Sequence, residues 1–213
     1  MNTTHCPALF DSNLRPCPGS QGKNVCAVEH CEYARKIQES IQLIRLGARV
    51  GLAGQLTGLE KKTLKRLYRQ LMGQPSPSGQ LAYSDTWLLE NDRYQFHANL
   101  IWYLHRRLNH PECSPARILI DVFEVYTQMA REPRLNLTRT AFVLQLFSTG
   151  LWNEHHCSFC QTDFPAPVDS NQTVCPGCRL YYRHRCQHCS EALSPKTRGV
   201  RRKSCNYCGG DLI

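Results

Sequence analysis

Eight cysteines between residues 157 and 208 have the type and spacing to hold metal. They form four C-x-x-C pairs, Cys157/Cys160, Cys175/Cys178, Cys186/Cys189 and Cys205/Cys208, separated by fourteen, seven and fifteen residues. Two residues between cysteines let both thiolates of one tight turn face the same cation, and two such knuckles complete a tetrahedral shell around Zn²⁺. The spacing therefore predicts two zinc ions. Sequential pairing would give two tandem ribbons, whereas a cross-brace would join the first knuckle to the third and the second to the fourth. Either way, a shell filled by four thiolates leaves no vacancy for water, so the metal holds structure instead of activating a nucleophile. No G-x-S-x-G, phosphate loop or H-E-x-x-H motif offers another route to catalysis, and no enzyme is expected.

The chain has 213 residues and thirteen cysteines. It shows no apolar run of about 18 residues and no basic start followed by an apolar stretch, so a cytoplasmic protein with no membrane partner is expected. A reducing compartment favours metal over disulfides for paired cysteines. The arm at residues 1–32 has several prolines and glycines and no period, yet it carries Cys6, Cys17, Cys26 and Cys31, enough for a third zinc site. The formal charge is +9. Each zinc on four thiolates adds −2, so two would leave about +5, still basic enough to suggest nucleic acid as a partner.

Helices must position these ligands. Apolar residues at Ile37, Ile41, Ile44 and Ala48 predict an amphipathic helix over 33–50, with Glu39 on its outer side. A second, over 59–72, points Leu64, Leu67 and Leu71 inward and leaves Lys61, Lys62, Lys65, Arg66 and Arg69 outward. Gly54, Gly58 and Leu64 fit the spacing of a helix-turn-helix: a small residue for close packing, a glycine in the turn, and an apolar residue that seats the second helix. Such a pair either reads DNA or is a plain antiparallel hairpin. Residues 73–79, with Pro75 and Pro77, make a linker or a stiff packed loop, and Leu81, Tyr83 and Trp87 dock the next segment on the core.

Three more helices are predicted. They span 91–108 (Tyr94, Ile101, Leu104, Leu108 inward), 115–130 (Ile118, Val122, Val125, Met129 inward) and 137–151 (Ala141, Leu144, Leu151 inward), with Ser114-Pro115 capping the second. No strand alternation competes with them. His155 and His156 precede the first knuckle as competing ligands or as solvated residues, and His97, His105, His110 and His184 read as ordinary polar or packed histidines. The predicted fold class is mainly α, a helical domain with a helix-turn-helix-like segment followed by small C-terminal tandem zinc ribbons. The domains are an arm at 1–32, a helical domain at 33–152 and ribbons at 153–180 and 181–213.

Arg179, Arg183, Arg185, Lys196, Arg198, Arg201, Arg202 and Lys203 form the densest basic run, opposed only by Glu191. On a rigid scaffold they would track phosphates, as would Lys61, Lys62, Lys65 and Arg66. A zinc-stabilised protein-interaction module without direct DNA binding is the competing reading.

The sequences Leu46-Gly-Ala-Arg49, Leu67-Tyr-Arg-Gln-Leu-Met-Gly73, Pro75-Ser-Pro-Ser-Gly79, Trp87, Leu137-Thr-Arg139 and Gly150-Leu151 before the first knuckle resemble the FlhC family of bacterial transcription activators. The resemblance runs from about residue 37 to 178. It implies a mostly helical subunit that joins a small partner, FlhD, in a hetero-oligomer, binds double-stranded promoter DNA and activates bacterial RNA polymerase at flagellar or conjugative-transfer genes. It also implies one zinc on Cys157, Cys160, Cys175 and Cys178, which favours sequential pairing. The arm and the pair of knuckles from Cys186 to Cys208 depart from the family pattern.

Overall fold

The computed structural model describes residues 28–79, 84–193 and 203–212. Cys6, Cys17 and Cys26 of the expected third site lie outside the described residues, as do Leu81 and Tyr83 and the basic residues Lys196, Arg198, Arg201 and Arg202. The fold is mainly α. Among the described residues there are eight helices, α1 (Val28–Arg45), α2 (Val50–Thr57), α3 (Lys61–Met72), α4 (Thr86–Leu89), α5 (Asp92–Leu108), α6 (Pro115–Met129), α7 (Leu137–Ser148) and α8 (Pro176–Tyr182). One hairpin, β1 (Trp152–His156) with β2 (Asp163–Pro167), completes them. No helix among these is long and apolar enough to cross a membrane.

Two compact units divide the chain. One holds the described residues up to 79 together with 108–124; the other holds 84–107 and the described residues from 125 onward.

In the first unit, α1, α2 and α3 pack on one another. The single helix expected over 33–50 is in fact two, because Gly47 takes a left-handed φ of 100° and the chain restarts as α2. Ser76 Oγ accepts from Val50 N–H (3.2 Å) and Arg49 Nη1 donates to Ser78 O (3.4 Å), so the proline-rich segment is tethered to the start of α2 although most of it is exposed. Gly58 ends α2 in the left-handed region (φ 69°) and gives a tight turn into α3. A Cβ on Gly54 would sit 3.2 Å from Leu64 Cδ1, which explains the small residue at that crossing. Leu64 and Tyr68 are the buried residues of α3, a stripe rotated slightly from the expected Leu64, Leu67 and Leu71.

Glu39 corrects the expected pattern of α1. It is buried, and its carboxylate accepts from Ser114 Oγ at 2.6 Å, while the same hydroxyl oxygen accepts from Arg117 N–H (3.0 Å) to cap α6. A buried carboxylate must be hydrogen-bonded, and this one finds its donor 75 residues away.

In the second unit, α5 buries Gln95, Ala98, Ile101, Trp102 and Leu104, and α7 buries Leu137, Thr140, Phe142, Val143 and Leu146. Met129 and Leu151, expected inward, are 60% and 61% exposed. The helix expected over 137–151 stops earlier, since α7 ends at Ser148 and Gly150 is left-handed (φ 69°), which puts Leu151 beyond it; α6 buries Ala116, Leu119, Ile120, Val122, Phe123 and Tyr126, a stripe that leaves Met129 out. Trp87, Tyr94, Phe142 and Arg139 form one aromatic cluster, with the Arg139 guanidinium 4.5 Å over the Trp87 ring and 5.3 Å from Tyr94. Tyr126 Oη accepts from Arg134 N–H (2.9 Å) and Leu135 N–H (3.1 Å) and pairs with His97 Nδ1 (2.9 Å).

Candidate metal centres and basic surfaces

The sulfurs of Cys157, Cys160, Cys175 and Cys178 lie within 4.8 Å of one another, and so do those of Cys186, Cys189, Cys205 and Cys208. The grouping is sequential, first knuckle with second and third with fourth. The Sγ–Sγ separations Cys160–Cys175, Cys186–Cys208 and Cys189–Cys205 are 3.7, 3.7 and 3.8 Å. A tetrahedron with Zn–S bonds of about 2.3 Å has edges of about 3.8 Å, so the spacing fits a zinc-sized ion in either cluster.

Three of the four knuckles are built alike. His156 pairs with Asp163 around Cys157/Cys160, Arg185 with Ala192 around Cys186/Cys189, and Ser204 with Asp211 around Cys205/Cys208. In each, the residue before the first cysteine bridges to the third residue after the second cysteine. The turn closes with a left-handed residue after that second cysteine: Gln161 (φ 59°), Ser190 (φ 60°) and Gly209 (φ 72°). The remaining knuckle is helical. Cys175 is the N-cap of α8, its sulfur accepting from Cys178 N–H at 3.3 Å, and Pro176 occupies the first turn, where its missing N–H costs nothing.

Backbone N–H groups point at the sulfurs as metal-bound thiolates require: Cys175 N to Cys157 Sγ (3.2 Å), His188 N to Cys186 Sγ (3.4 Å) and Tyr207 N to Cys205 Sγ (3.4 Å). Burial works to raise the Cys157 thiol, but N–H donors from Cys175, Cys160 and Phe159 outweigh it and hold it at about 6. Burial and the facing Cys175 and Cys160 push Cys178 the other way. In the second cluster the N–H groups of Cys189 and His188 hold Cys186 at about 7. The Glu191 N–H works to lower Cys189, yet burial and the thiols of Cys208, Cys186 and Cys205 push it up to about 12. Four thiolates at this spacing would repel one another without a cation between them, so either cluster could hold a metal ion.

The two centres differ in support. Cys157, Cys175 and Cys178 share a small core with Phe164 and Ala166, and Val174 and Tyr182 pack against it. Trp152 of β1 anchors the hairpin through Nε1–H to Asp85 Oδ2 (2.8 Å). In the second centre, His188 Nε2 donates to Asp211 O (3.0 Å), and its ring fills the space where a Cβ on Gly210 would lie only 2.6 Å away. His155 and His156 join neither cluster. His156 bonds Asp163 Oδ1 (3.0 Å) and Gln161 Oε1 (2.9 Å), and His155 packs on Phe164. Cys31 and Cys113 also lie outside both clusters.

Lys61, Lys62, Lys65, Arg66 and Arg69 all lie exposed along α3, and among the described residues none is in an ion pair. Arg183, Arg185 and Lys203 are exposed around the second centre. Arg179 is different. Its guanidinium donates to Asp92 Oδ1 (2.8 Å), Gln172 Oε1 (2.8 Å), Val174 O (3.1 Å) and Gln95 Oε1, which ties α8 to α5 and takes its donors away from any phosphate. These partners were invisible in the sequence, since Asp92 and Gln95 stand 87 and 84 residues away.

The pattern of the protein family described as "Flagellar transcriptional activator (FlhC)" matches residues 27–194. The chain belongs to the FlhC family. Among relatives, the flagellar transcriptional regulator FlhC of Paraburkholderia atlantica is 30% identical over 153 residues, covering 68% of this chain and 70% of its own length. FlhC of Pectobacterium carotovorum is 27% identical over 156 residues, 70% of this chain and 80% of the relative. FlhC of Serratia marcescens is 26% identical over 190 residues, 85% of this chain and 90% of the relative. FlhC proteins are transcriptional regulators, not enzymes, which agrees with two closed cysteine clusters. The FlhC pattern takes in the first cluster whole and stops at residue 194, before Cys205 and Cys208.

Proposed function

We propose that this protein is the DNA-binding subunit of a bacterial transcription activator. It works in a hetero-oligomer with a small helical partner of the FlhD type, and the complex activates RNA polymerase at flagellar or conjugative-transfer promoters. Each four-cysteine cluster holds one Zn²⁺, the soft-ligand ion that a closed thiolate tetrahedron suits. The helical domain spans 33–152, with ribbons at 153–180 and 181–213.

The observation that carries this reading is α3: Leu64 and Tyr68 bury one side, while Lys61, Lys62, Lys65, Arg66 and Arg69 stand exposed on the other, in no ion pair among the described residues, after a glycine turn from α2. α2 and α3 act as the helix-turn-helix, with the early residues of α3 toward the groove. Arg183, Arg185 and Lys203, with Lys196, Arg198, Arg201 and Arg202, add phosphate contacts from the second ribbon.

A gel-shift assay on promoter fragments, with the partner co-expressed, tests the proposal. The complex should retard the fragment with an affinity that falls steeply with salt. Lys65→Ala with Arg66→Ala should weaken binding at least tenfold and flatten the salt slope by about two counterions. A retarded fragment indifferent to both salt and this double substitution refutes the assignment of α3.

A further inference from the structure

A ridge of exposed rings runs along the first ribbon. Phe159, the third residue of the first knuckle, stacks on Tyr182 with centroids 5.2 Å apart and planes at 37°. Tyr181 meets Tyr182 edge-on at 5.0 Å and 89°, and the Arg185 guanidinium lies 5.3 Å over Tyr181 while donating to Ser190 O (3.1 Å). Phe159 is 36% and Tyr181 52% exposed. Between Asp169 and Glu191 the sequence holds no acidic residue. Arg179 is consumed internally, which leaves Arg183 and Arg185 at the surface.

We propose that this ridge binds single-stranded nucleic acid, stacking unpaired bases on Tyr181 and Phe159 and holding the backbone with Arg183 and Arg185. The chemistry differs from that of the basic face of α3. Duplex DNA hides its base faces and shows the protein phosphates and groove edges, so a protruding ring gains nothing from it. An unpaired base offers a free face to any ring, and each such stack contributes about 1–3 kcal/mol whatever the base. The rings suit this work because they are already ordered. Phe159 is held by its metal knuckle, Tyr182 packs against the ribbon core, and Tyr181 is held between Tyr182 and Arg185, so little side-chain freedom is lost when a base lands. Arg183 and Arg185 are exposed beside Tyr181 with no acid in residues 170–190, which favours a phosphate backbone there. This function is additional to duplex binding and does not depend on it.

Fluorescence anisotropy on the full-length, zinc-loaded chain separates the two. The probes are a labelled oligothymidine of about 12 nucleotides and a labelled duplex of about 12 base pairs. The parent should prefer oligothymidine. Tyr181→Ala should weaken oligothymidine binding about 5- to 100-fold with duplex binding unchanged, and Tyr181→Trp should restore it. Zinc content equal to the parent's certifies the fold of each variant. Oligothymidine held no tighter than duplex overturns the proposal, as does a Tyr181→Ala variant that binds it like the parent or loses both probes equally. Oligothymidine binding that depends on Tyr181 without any duplex binding supports the ridge, and the promoter reading stands or falls separately on the gel shift with the partner present.

Discussion

Replacing Arg179 with alanine removes four hydrogen bonds, two of which tie α8, and with it Cys175 and Cys178 of the first cluster, to α5. The Arg179 and Asp92 side chains are 25% and 37% exposed, so solvent screening holds their ion pair to about 1 kcal/mol. Losing the donor to the Oε1 of the buried Gln95, and with it the bonds to Gln172 and Val174, adds about 2 kcal/mol. The total of about 3 kcal/mol corresponds to roughly a 100-fold change in an equilibrium constant. Because Arg179 directly follows Cys178, the first centre takes the loss. Zinc released to an excess of chelator, followed with a chromogenic indicator, should appear in two phases of one equivalent each. Arg179→Ala should accelerate one phase by up to about 100-fold and leave the other unchanged. Asp92→Asn should give about fivefold. Two phases that both keep their parental rates, or that shift together, would show that α8 does not lean on α5 for its metal.

Other perturbations probe the rest of the chain. Gly54→Val drives methyl groups into Leu64 and should destabilise the α2–α3 crossing by about 1–3 kcal/mol, seen as a lower Tm; a Tm equal to the parent's counts against that packing. Tyr126→Phe strips two backbone N–H groups of their acceptor and should cost about 2 kcal/mol in urea unfolding. His97 has its pKa lowered by burial and by Arg134, so the unfolded chain binds its proton more readily than the folded one. That contribution to stability is fully present above the unfolded value of about 6.5 and shrinks as pH falls toward the lower folded value. His105 is lowered by burial and acts in the same sense, so His97→Gln should flatten but not abolish the loss of stability between neutral and mildly acidic pH. A variant with the parent's full pH slope would show that His97 does not contribute to it.

The two four-cysteine clusters were legible because a C-x-x-C pair is a complete local instruction: two thiols presented by one turn. Helices α3, α5, α6 and α7 were also readable to within a few residues, since Ser114-Pro115 and Gly58 are punctuation that needs no tertiary context. The features that sequence reasoning missed depended on distant partners. Glu39 looks like a surface residue until Ser114 is placed against it, and Arg179 looks like a phosphate contact until Asp92 and Gln95 claim its donors. The short elements α2, α8 and the β1–β2 hairpin carry too few residues for a period to show. A knuckle and its capping proline, not apolar alternation, specify the last two. Met129 was placed inward because α6 carries more apolar residues than one stripe can hold, and Leu151 because the helix was expected to run past Ser148, where α7 ends.

The shared build of three knuckles bears on how such a chain can change over generations. Each unit brings two cysteines, a left-handed residue and its own closing bridge within eight residues, although the first also packs Phe159 against Tyr182 of α8. A segment that closes its own turn can be duplicated while its copies keep their register, because the bridge and the left-handed residue travel with the cysteines. The helical knuckle lacks that freedom, bound as it is through Arg179 to residues more than eighty positions away. Selection can therefore reshape the surface around Cys186 and Cys205 without unsettling the centre beside it.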